Sequence, residues 1–237
     1  MEDIRERLVS SGQDAGIVLS GEQTESFQQY MELLLNWNEK INLTAIKEPE
    51  EIAYKHFLDS ILILKYLNLP ECAKLIDVGT GAGFPGVPLK LMRPGLNLTL
   101  LDGLNKRLVF LQDLAEKLHF SAEFVHARAE EAGRQAAYRG KFDFAAARAV
   151  APLNLLCEYC LPFLKIGGVF IAMKGPEPEE EVRAAKNAVA LLGCTLDGIE
   201  KFELPNGDSR SLILIRRTGP IPAAYPRHGA KIAKSPL

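Results

Sequence analysis

At 237 residues with 47% apolar and 24% charged side chains, the chain can bury a substantial core, which excludes global disorder. A formal net charge of −2 argues against indiscriminate binding to nucleic acid, yet Arg216 to Leu237 carries three Arg, two Lys, one His and no acid, enough to hold phosphates locally. No apolar run approaches the roughly 20 residues of a spanning helix, and the charged N-terminus is unlike a signal peptide, so a cytoplasmic protein is expected.

Residues 1–20 are weakly patterned and predict one loose helix. Ser20 opens S-G-E-Q, a capping-box pattern closed by Gln23. Phe27, Tyr30, Met31, Leu34 and Trp37 follow at helical spacing, predicting an amphipathic helix that ends near Trp37-Asn38. Their period favours core packing over a set of rings for stacking on bases. After the polar loop Asn42-Leu43-Thr44, Pro49 suits the first turn of a second helix, which carries Ile52, His56, Phe57, Ser60, Ile61 and Leu64 up to Leu67. Residues 1–70 therefore read as a helical N-terminal extension, 71–217 as an α/β domain and 218–237 as a basic C-terminal tail.

Lys74–Gly86 reads K-L-I-D-V-G-T-G-A-G-F-P-G. The apolar run Leu75, Ile76, Val78 ends abruptly at glycine, as a buried parallel strand does. Gly79, Gly81 and Gly83 let the backbone turn tightly and approach a ligand closely. A helix from Gly86 would aim its N–H groups back at that turn. The dinucleotide fingerprint G-x-G-x-x-G would place its third glycine at position 84, which is Phe84. The spacing D-x-G-x-G-x-G, opened by Asp77, resembles instead the first motif of S-adenosylmethionine (SAM)-dependent methyltransferases. An ordinary glycine-rich turn is the alternative, which the downstream chain has to settle.

Downstream, strands are predicted at 75–78, 96–101, 122–125, 142–147, 168–173, 196–204 and 211–216, with helices at 105–118, 153–164 and 177–192. Asn206-Gly207 marks a hairpin between the last two strands. Five βα units closed by an antiparallel hairpin give the seven-stranded, Rossmann-like sheet of the SAM-dependent methyltransferases. A flavodoxin-like sheet would have no reason to end in that hairpin. Ligands in such sheets sit over the C-terminal strand ends. There Asp102 is placed to accept ribose hydroxyls, the alternative being a helix cap. His126 to Glu130 can meet an adenine through backbone groups, although Glu130 equally suits a helix dipole. Arg148, among alanines at a strand tip, can pair with a carboxylate or a carbonyl oxygen; a surface ion pair is the alternative. Cys157-x-x-Cys160 lacks a second ligand pair and lies among leucines, so small core residues are expected.

Absent motifs narrow the chemistry. The strand-four tip, Arg148-Ala149-Val150-Ala151-Pro152, has no Asn/Asp-Pro-Pro-aromatic tetrapeptide for an exocyclic amine. Leu153 stands where a Pro-Cys pair would put the nucleophile for carbon-5 methylation. An acceptor atom with its own lone pair, such as guanine N7, fits best.

Together these residues closely resemble the bacterial 16S rRNA guanine-N7 methyltransferases, the glucose-inhibited division protein B family, from about Tyr30 to the C-terminus. The matching pieces are Trp37-Asn38 with Asn42-Leu43-Thr44, His56 to Ser60, Asp77 to Gly86 and Leu101-Asp102 with Asn105-Lys106-Arg107. Arg128-Ala129-Glu130, Arg148 to Pro152, Lys174-Gly175 and Tyr225-Pro226-Arg227 continue the match. Gly103 departs from the family's usual serine, losing only a hydroxyl. The resemblance implies SAM as cofactor and methylation of N7 of guanine 527 of 16S rRNA, near the decoding site. It implies cofactor contacts at Gly79, Gly81, Gly83, Phe84, Ala129, Glu130 and Arg148, with Asp102, Gly103 and Leu104 beside the ribose. Arg148 is placed to reach either the cofactor carboxylate or guanine O6. With His56 it is the expected catalytic pair, no general base being required. His56, Asp59 and Ser60 are expected at the pocket mouth, or else on an ordinary helix surface.

RNA phosphates are expected on Lys106, Arg107, Lys174, Arg216, Arg217, Arg227, Lys231 and Lys234, and a base on Tyr225. The partner would be 16S rRNA, within the 30S subunit or an assembly intermediate. A monomer and no metal are expected. Two rival readings are a methyltransferase for small molecules or proteins and a non-catalytic RNA-binding module.

Overall fold

The computed structural model describes residues 4–237. Residues 1–3 of the loose helix expected over 1–20 lie outside it; α1 (Ile4–Asp14) follows, burying Ile4 and Leu8. Ser20 and Gln23 form the reciprocal capping box, Ser20 Oγ accepting from the Gln23 N–H at 3.2 Å and Gln23 Oε1 from the Ser20 N–H at 2.9 Å. It starts α2 (Gly21–Asn38), whose Phe27, Tyr30 and Leu34 are fully buried.

The second helix is not continuous. It breaks into α3 (Pro49–Ile52), a π-helical turn (Ala53–Leu58), α4 (Asp59–Ile61) and α5 (Ile63–Tyr66). Ile52 and Phe57 are both fully buried at a spacing of five. A wide turn keeps that pair on one face, where a regular α-turn would rotate one of them outward.

The α/β part runs β1 (Lys74–Val78), α6 (Gly86–Met92), β2 (Asn97–Asp102), α7 (Asn105–Lys117), β3 (Glu123–His126) and α8 (Ala129–Ala132). It continues through β4 (Phe142–Arg148), α9 (Leu153–Cys160), β5 (Leu164–Lys174), α10 (Glu179–Leu191), β6 (Cys194–Glu203), β7 (Ser209–Arg217) and α11 (Gly229–Lys234). The sheet has the expected seven strands, in the order β3-β2-β1-β4-β5-β7-β6, with β7 antiparallel to both neighbours. The order reverses between β1 and β4, so a crevice opens over their C-terminal ends.

Strand alternation sends Leu75 to one face and Ile76 and Val78 to the other. The first face packs under α2, the π turn, α6 and α7; the second under α9 and α10. The first core joins Leu8, Phe27 and Phe57 to Leu75 and Leu100, so it runs across the expected boundary at residue 70.

The C-terminal segment is a packed strap rather than a free tail. Arg139 donates to the carbonyls of Tyr225 (2.6 Å), Ile221 (3.2 Å) and Pro222 (3.3 Å). Arg227 lies along the fully buried Glu158, its Nη2 2.7 Å from Oε2 and its backbone N–H 2.6 Å from Oε1. Ile232 of α11 is completely buried. The basic composition here serves packing as well as charge, which composition alone does not separate.

Candidate active site

A cleft of about 1500 Å³ lies over the C-terminal strand ends, lined by the turns after β1 to β4, the π turn, the loop before α3 and α11. Gly79 and Gly81 take φ of +70° and +60°. A Cβ at Gly79 would also lie 2.8 Å from Val150 Cγ2, so that position admits only glycine. Asp77 sits beneath the turn. Its Oδ2 accepts from Thr80 Oγ1 at 2.7 Å and from the Gly86 N–H at 2.9 Å. Burial nevertheless raises its pKa to about 6. Asp77 is a turn anchor rather than a ligand contact.

Asp102, at the tip of β2, ties two turns together. Its Oδ1 accepts from the Leu104 N–H at 2.8 Å; its Oδ2 accepts from the Gly81 N–H at 2.9 Å and Arg107 Nη1 at 3.2 Å. A ribose here would share the carboxylate with Arg107. Gly103 and Leu104 line the cleft beside it, and Ala129 and Glu130 line its far end. There α11 closes against them: a Cβ at Gly229 would stand 2.1 Å from Glu130 Oε1. The cradle at Gly79, the carboxylate after β2 and the bare backbone at Gly103 and Ala129 fit a nucleoside with an aliphatic arm, and so fit SAM.

Arg148, at the tip of β4, organises the opposite wall. Its Nη1 donates to the Lys55 carbonyl at 3.0 Å and to Asp59 Oδ2 at 3.3 Å, and its Nη2 lies 3.2 Å from His56 Nδ1, which is also 3.1 Å from the Lys55 carbonyl. Its guanidinium lies 4.7 Å from the Phe84 ring centroid. His56 stacks on Phe84 at 4.6 Å and Tyr30 stacks on it at 5.3 Å. Phe84 therefore gives its ring to Tyr30, His56 and Arg148, and it shapes the cleft by holding them. Burial and the neighbouring Arg148 charge push the His56 pKa down to about 3, so the ring is neutral. Asp59 is buried and its pKa is raised by desolvation, which Arg148 and Arg210 oppose. Ser60 is fully buried, donates to the His56 carbonyl and does not reach the cleft.

The expected RNA contacts divide. Lys174 lines the cleft, with Nζ 2.8 Å from the Ala151 carbonyl and 2.7 Å from Glu181. Arg107 is held by Asp102, and Lys106 is exposed on the first turn of α7. Lys231 and Lys234 are exposed on α11, whose Ala230 and Ala233 line the cleft. Arg216 and Arg217 are not brought to the site. Arg216 pairs across the sheet with Val169, midway along β5 and away from its C-terminal end, and is engaged by Asp197; Arg217 donates to the carbonyls of Leu164 and Gly219. Arg227 and Tyr225 are absorbed into the strap, the guanidinium 5.9 Å from the ring.

Sequence reasoning did not mention Lys55 or Arg210, and it named Thr44 and Arg128 only within longer stretches, giving neither side chain a role; all four line the cleft. Lys55 could have been found from its place beside His56. Arg210 arrives only through hairpin pairing and carries no local signal. Cys157 and Cys160 are buried and burial raises both thiols, in keeping with core residues. Among the described residues no group of His, Cys, Asp and Glu could hold a metal ion, and no helix is long and apolar enough to cross a membrane.

Residues 23–212 match the family described as GidB, rRNA small subunit methyltransferase G. The chain belongs to this family. Relatives named Ribosomal RNA small subunit methyltransferase G include that of Desulforamulus reducens, 45% identical with 100% of each chain covered. That of Acetivibrio thermocellus is 47% identical over 99% of this chain and 97% of its own. Among solved structures, TrmN from Thermus thermophilus matches with a TM-score of 0.53 at 16% identity, over 70% of this chain and 53% of that one. Geranyl diphosphate C-methyltransferase from Streptomyces coelicolor, solved with S-adenosyl-L-homocysteine, matches with 0.54 at 13%, over 68% and 79%. At such identities these likenesses speak for the fold alone. The family is one of SAM-dependent methyltransferases, and SAM is its methyl donor.

Proposed function

We propose that this chain methylates N7 of guanine 527 in 16S rRNA, by direct in-line attack of N7 on the methyl of SAM. The observation that carries this reading is a cleft in which the bases near the strand-four tip are already engaged. His56 is neutral, and its Nδ1 lies between the Arg148 guanidinium at 3.2 Å and the Lys55 carbonyl at 3.1 Å. Asp59 is paired with Arg148, and Asp102 with Arg107 and two backbone N–H groups. Guanine N7 carries no proton and needs no base.

SAM supplies a methyl already activated by its sulfonium. The chain's own contribution is then positioning and exclusion of water. Gly79, Gly81 and Gly83 give backbone access, and Asp102 to Leu104 and Ala129-Glu130 line the nucleoside end. The Phe84–His56–Arg148 stack walls the reacting end. The methylated purine is cationic, and Asp59 offsets the Arg148 charge beside it. Lys55, Arg210, Lys174, Lys106, Arg128, Lys231 and Lys234 rim the cleft or flank it and suit RNA phosphates, whose contacts weaken with salt. The target base has to leave its stack to reach the cleft. In this reading residues 1–70 and the strap 218–237 frame the methyltransferase unit 71–217, and the protein acts in the cytoplasm as a monomer on the 30S subunit or its precursor.

The test incubates the protein and labelled SAM with 30S subunits lacking the modification, then maps 7-methylguanine by chemical cleavage and primer extension. A single stop one residue from guanine 527 is expected. Label elsewhere, or none on rRNA, overturns the reading.

A further inference from the structure

Strand β4 ends at Arg148 and α9 begins at Leu153, and the turn between them is held in a strained form. Ala149 takes a φ of +53°, a left-handed conformation that a residue with a Cβ rarely adopts. Such strain persists only where the surroundings enforce it. Here they do. Lys174 Nζ donates to the Ala151 carbonyl at 2.8 Å, and Glu181, 2.7 Å from the same ammonium, accepts from the Leu153 N–H at 2.7 Å.

What this turn holds in place is Val150. Of the large apolar side chains left exposed among the described residues, only Leu104 and Val150 line the cleft. Leu104 lies beside Asp102, at the nucleoside end. Val150, 41% exposed, stands two positions after Arg148, at the reacting end. It packs on the glycine turn: a Cβ at Gly79 would lie 2.8 Å from Val150 Cγ2 and 3.3 Å from Cγ1. The isopropyl group thus rests on the turn on one side and is bare on the other.

We propose that Val150 is the apolar surface against which the extruded target purine packs, so that it sets the plane of the base beside the methyl to be transferred. The inference deepens the guanine-N7 reading above and rests on it. A base taken out of its stack is held in an enzyme pocket between aromatic or apolar side chains. Phe84 is not free for that contact, since Tyr30, His56 and Arg148 already cover it and it is buried. The cofactor does not need the same surface. Its arm ends in charged amino and carboxylate groups, which an isopropyl cannot serve. An aliphatic wall also suits the reaction: it leaves the N7 lone pair alone and does not repel the purine once that becomes cationic.

The experiment uses 30S particles reconstituted with ligated 16S rRNA carrying either guanine or an abasic ribose at the target position. Binding of the whole enzyme is measured at saturating S-adenosylhomocysteine, alongside methyl transfer from SAM to the guanine particle. Wild type should bind the guanine particle more tightly than the abasic one. Val150→Ala removes two methyl groups, and it should weaken binding to the guanine particle by about tenfold. Its binding to the abasic particle, and its affinity for S-adenosylhomocysteine by calorimetry, should match wild type. Val150→Ile should bind the guanine particle as wild type does. Equal weakening by Val150→Ala on both particles, none on the guanine particle, or a matching loss of affinity for S-adenosylhomocysteine overturns the proposal. If Val150→Ala does not fold, Val150→Thr, which puts a hydroxyl in place of one methyl, takes its place with the same outcomes. Failure of the underlying reading looks different: wild type would then leave N7 of the guanine particle unmethylated.

Discussion

Arg148 leaves the tip of β4 and meets Asp59 at the start of α4 across 3.3 Å, in a buried ion pair that joins the helical segment to the sheet at the cleft. The pair spans 89 positions, so the two parts of the chain are fastened together where the site is built. Removing one member of a buried pair strands the other charge. Asp59→Ala should therefore cost about 3–5 kcal/mol in urea unfolding. Asp59→Asn, which keeps a hydrogen-bond acceptor, should cost less and preserve the fold while slowing methyl transfer. Equal stability of Asp59→Ala and wild type would show that the pair is not what fastens the helices.

His56 gives the protein a pH signature. Its pKa in the folded chain is about 3, against about 6.5 when unfolded, so between those values the unfolded chain binds the extra proton. Its contribution to stability is full above pH 6.5 and is lost as pH falls toward 3, at up to about 1.4 kcal/mol per pH unit. Asp77 acts oppositely: raised to about 6, it favours the folded state at low pH, and that contribution fades as pH rises. The comparison of His56→Gln with wild type isolates the histidine, and the variant should lose less stability between pH 6.5 and 4.5. The wild-type transfer rate should show no histidine-like inflection from pH 5.5 to 8.

Phe84 tests the platform. Phe84→Ala removes the surface shared by Tyr30, His56 and Arg148 and should cost about 3–5 kcal/mol. Phe84→Leu should keep most of the stability while loosening His56 and Arg148. Its methyl-transfer rate should fall by more than its affinity for SAM, as read by calorimetry alongside single-turnover rates.

The basic C-terminus should separate by role. Arg227→Ala leaves Glu158 buried without its cation, so the melting temperature should drop by several degrees. The salt dependence of RNA binding should stay unchanged. Lys231→Ala with Lys234→Ala should do the reverse, flattening the slope of log affinity against log salt by about one per lost phosphate contact. A flattened slope for Arg227→Ala would return that arginine to the RNA surface.

That division shows where sequence reading reaches its limit. The glycine turn, the strand alternation and the terminal hairpin are local patterns, and the seven-stranded sheet follows from them. Asp102, Arg148 and Ala129-Glu130 were legible as positions because they fall at the C-terminal ends of strands or in the turns that follow. Their partners were not. Arg227 and Glu158 are 69 positions apart, Arg148 and Asp59 are 89 apart, and nothing near any of them announces the pairing. A charge count sees Arg216, Arg217 and Arg227 as free cations; folding engages them with Asp197, backbone carbonyls and Glu158. The π turn escaped for a related reason, since its spacing of five between Ile52 and Phe57 matters only once both are known to be buried. Phe84, noticeable in the sequence as an interruption of a glycine pattern, proves to be the ring on which the reacting wall is stacked.

The most direct measurement is the identity of the methylated nucleoside. Unmodified 30S subunits are incubated with the protein and isotopically labelled SAM, the rRNA is digested, and the nucleosides are separated by mass and retention. The account predicts label in 7-methylguanosine, at no more than one per subunit. Label in an exocyclic amine, a pyrimidine carbon or an adenosine, or no labelled nucleoside, would contradict it.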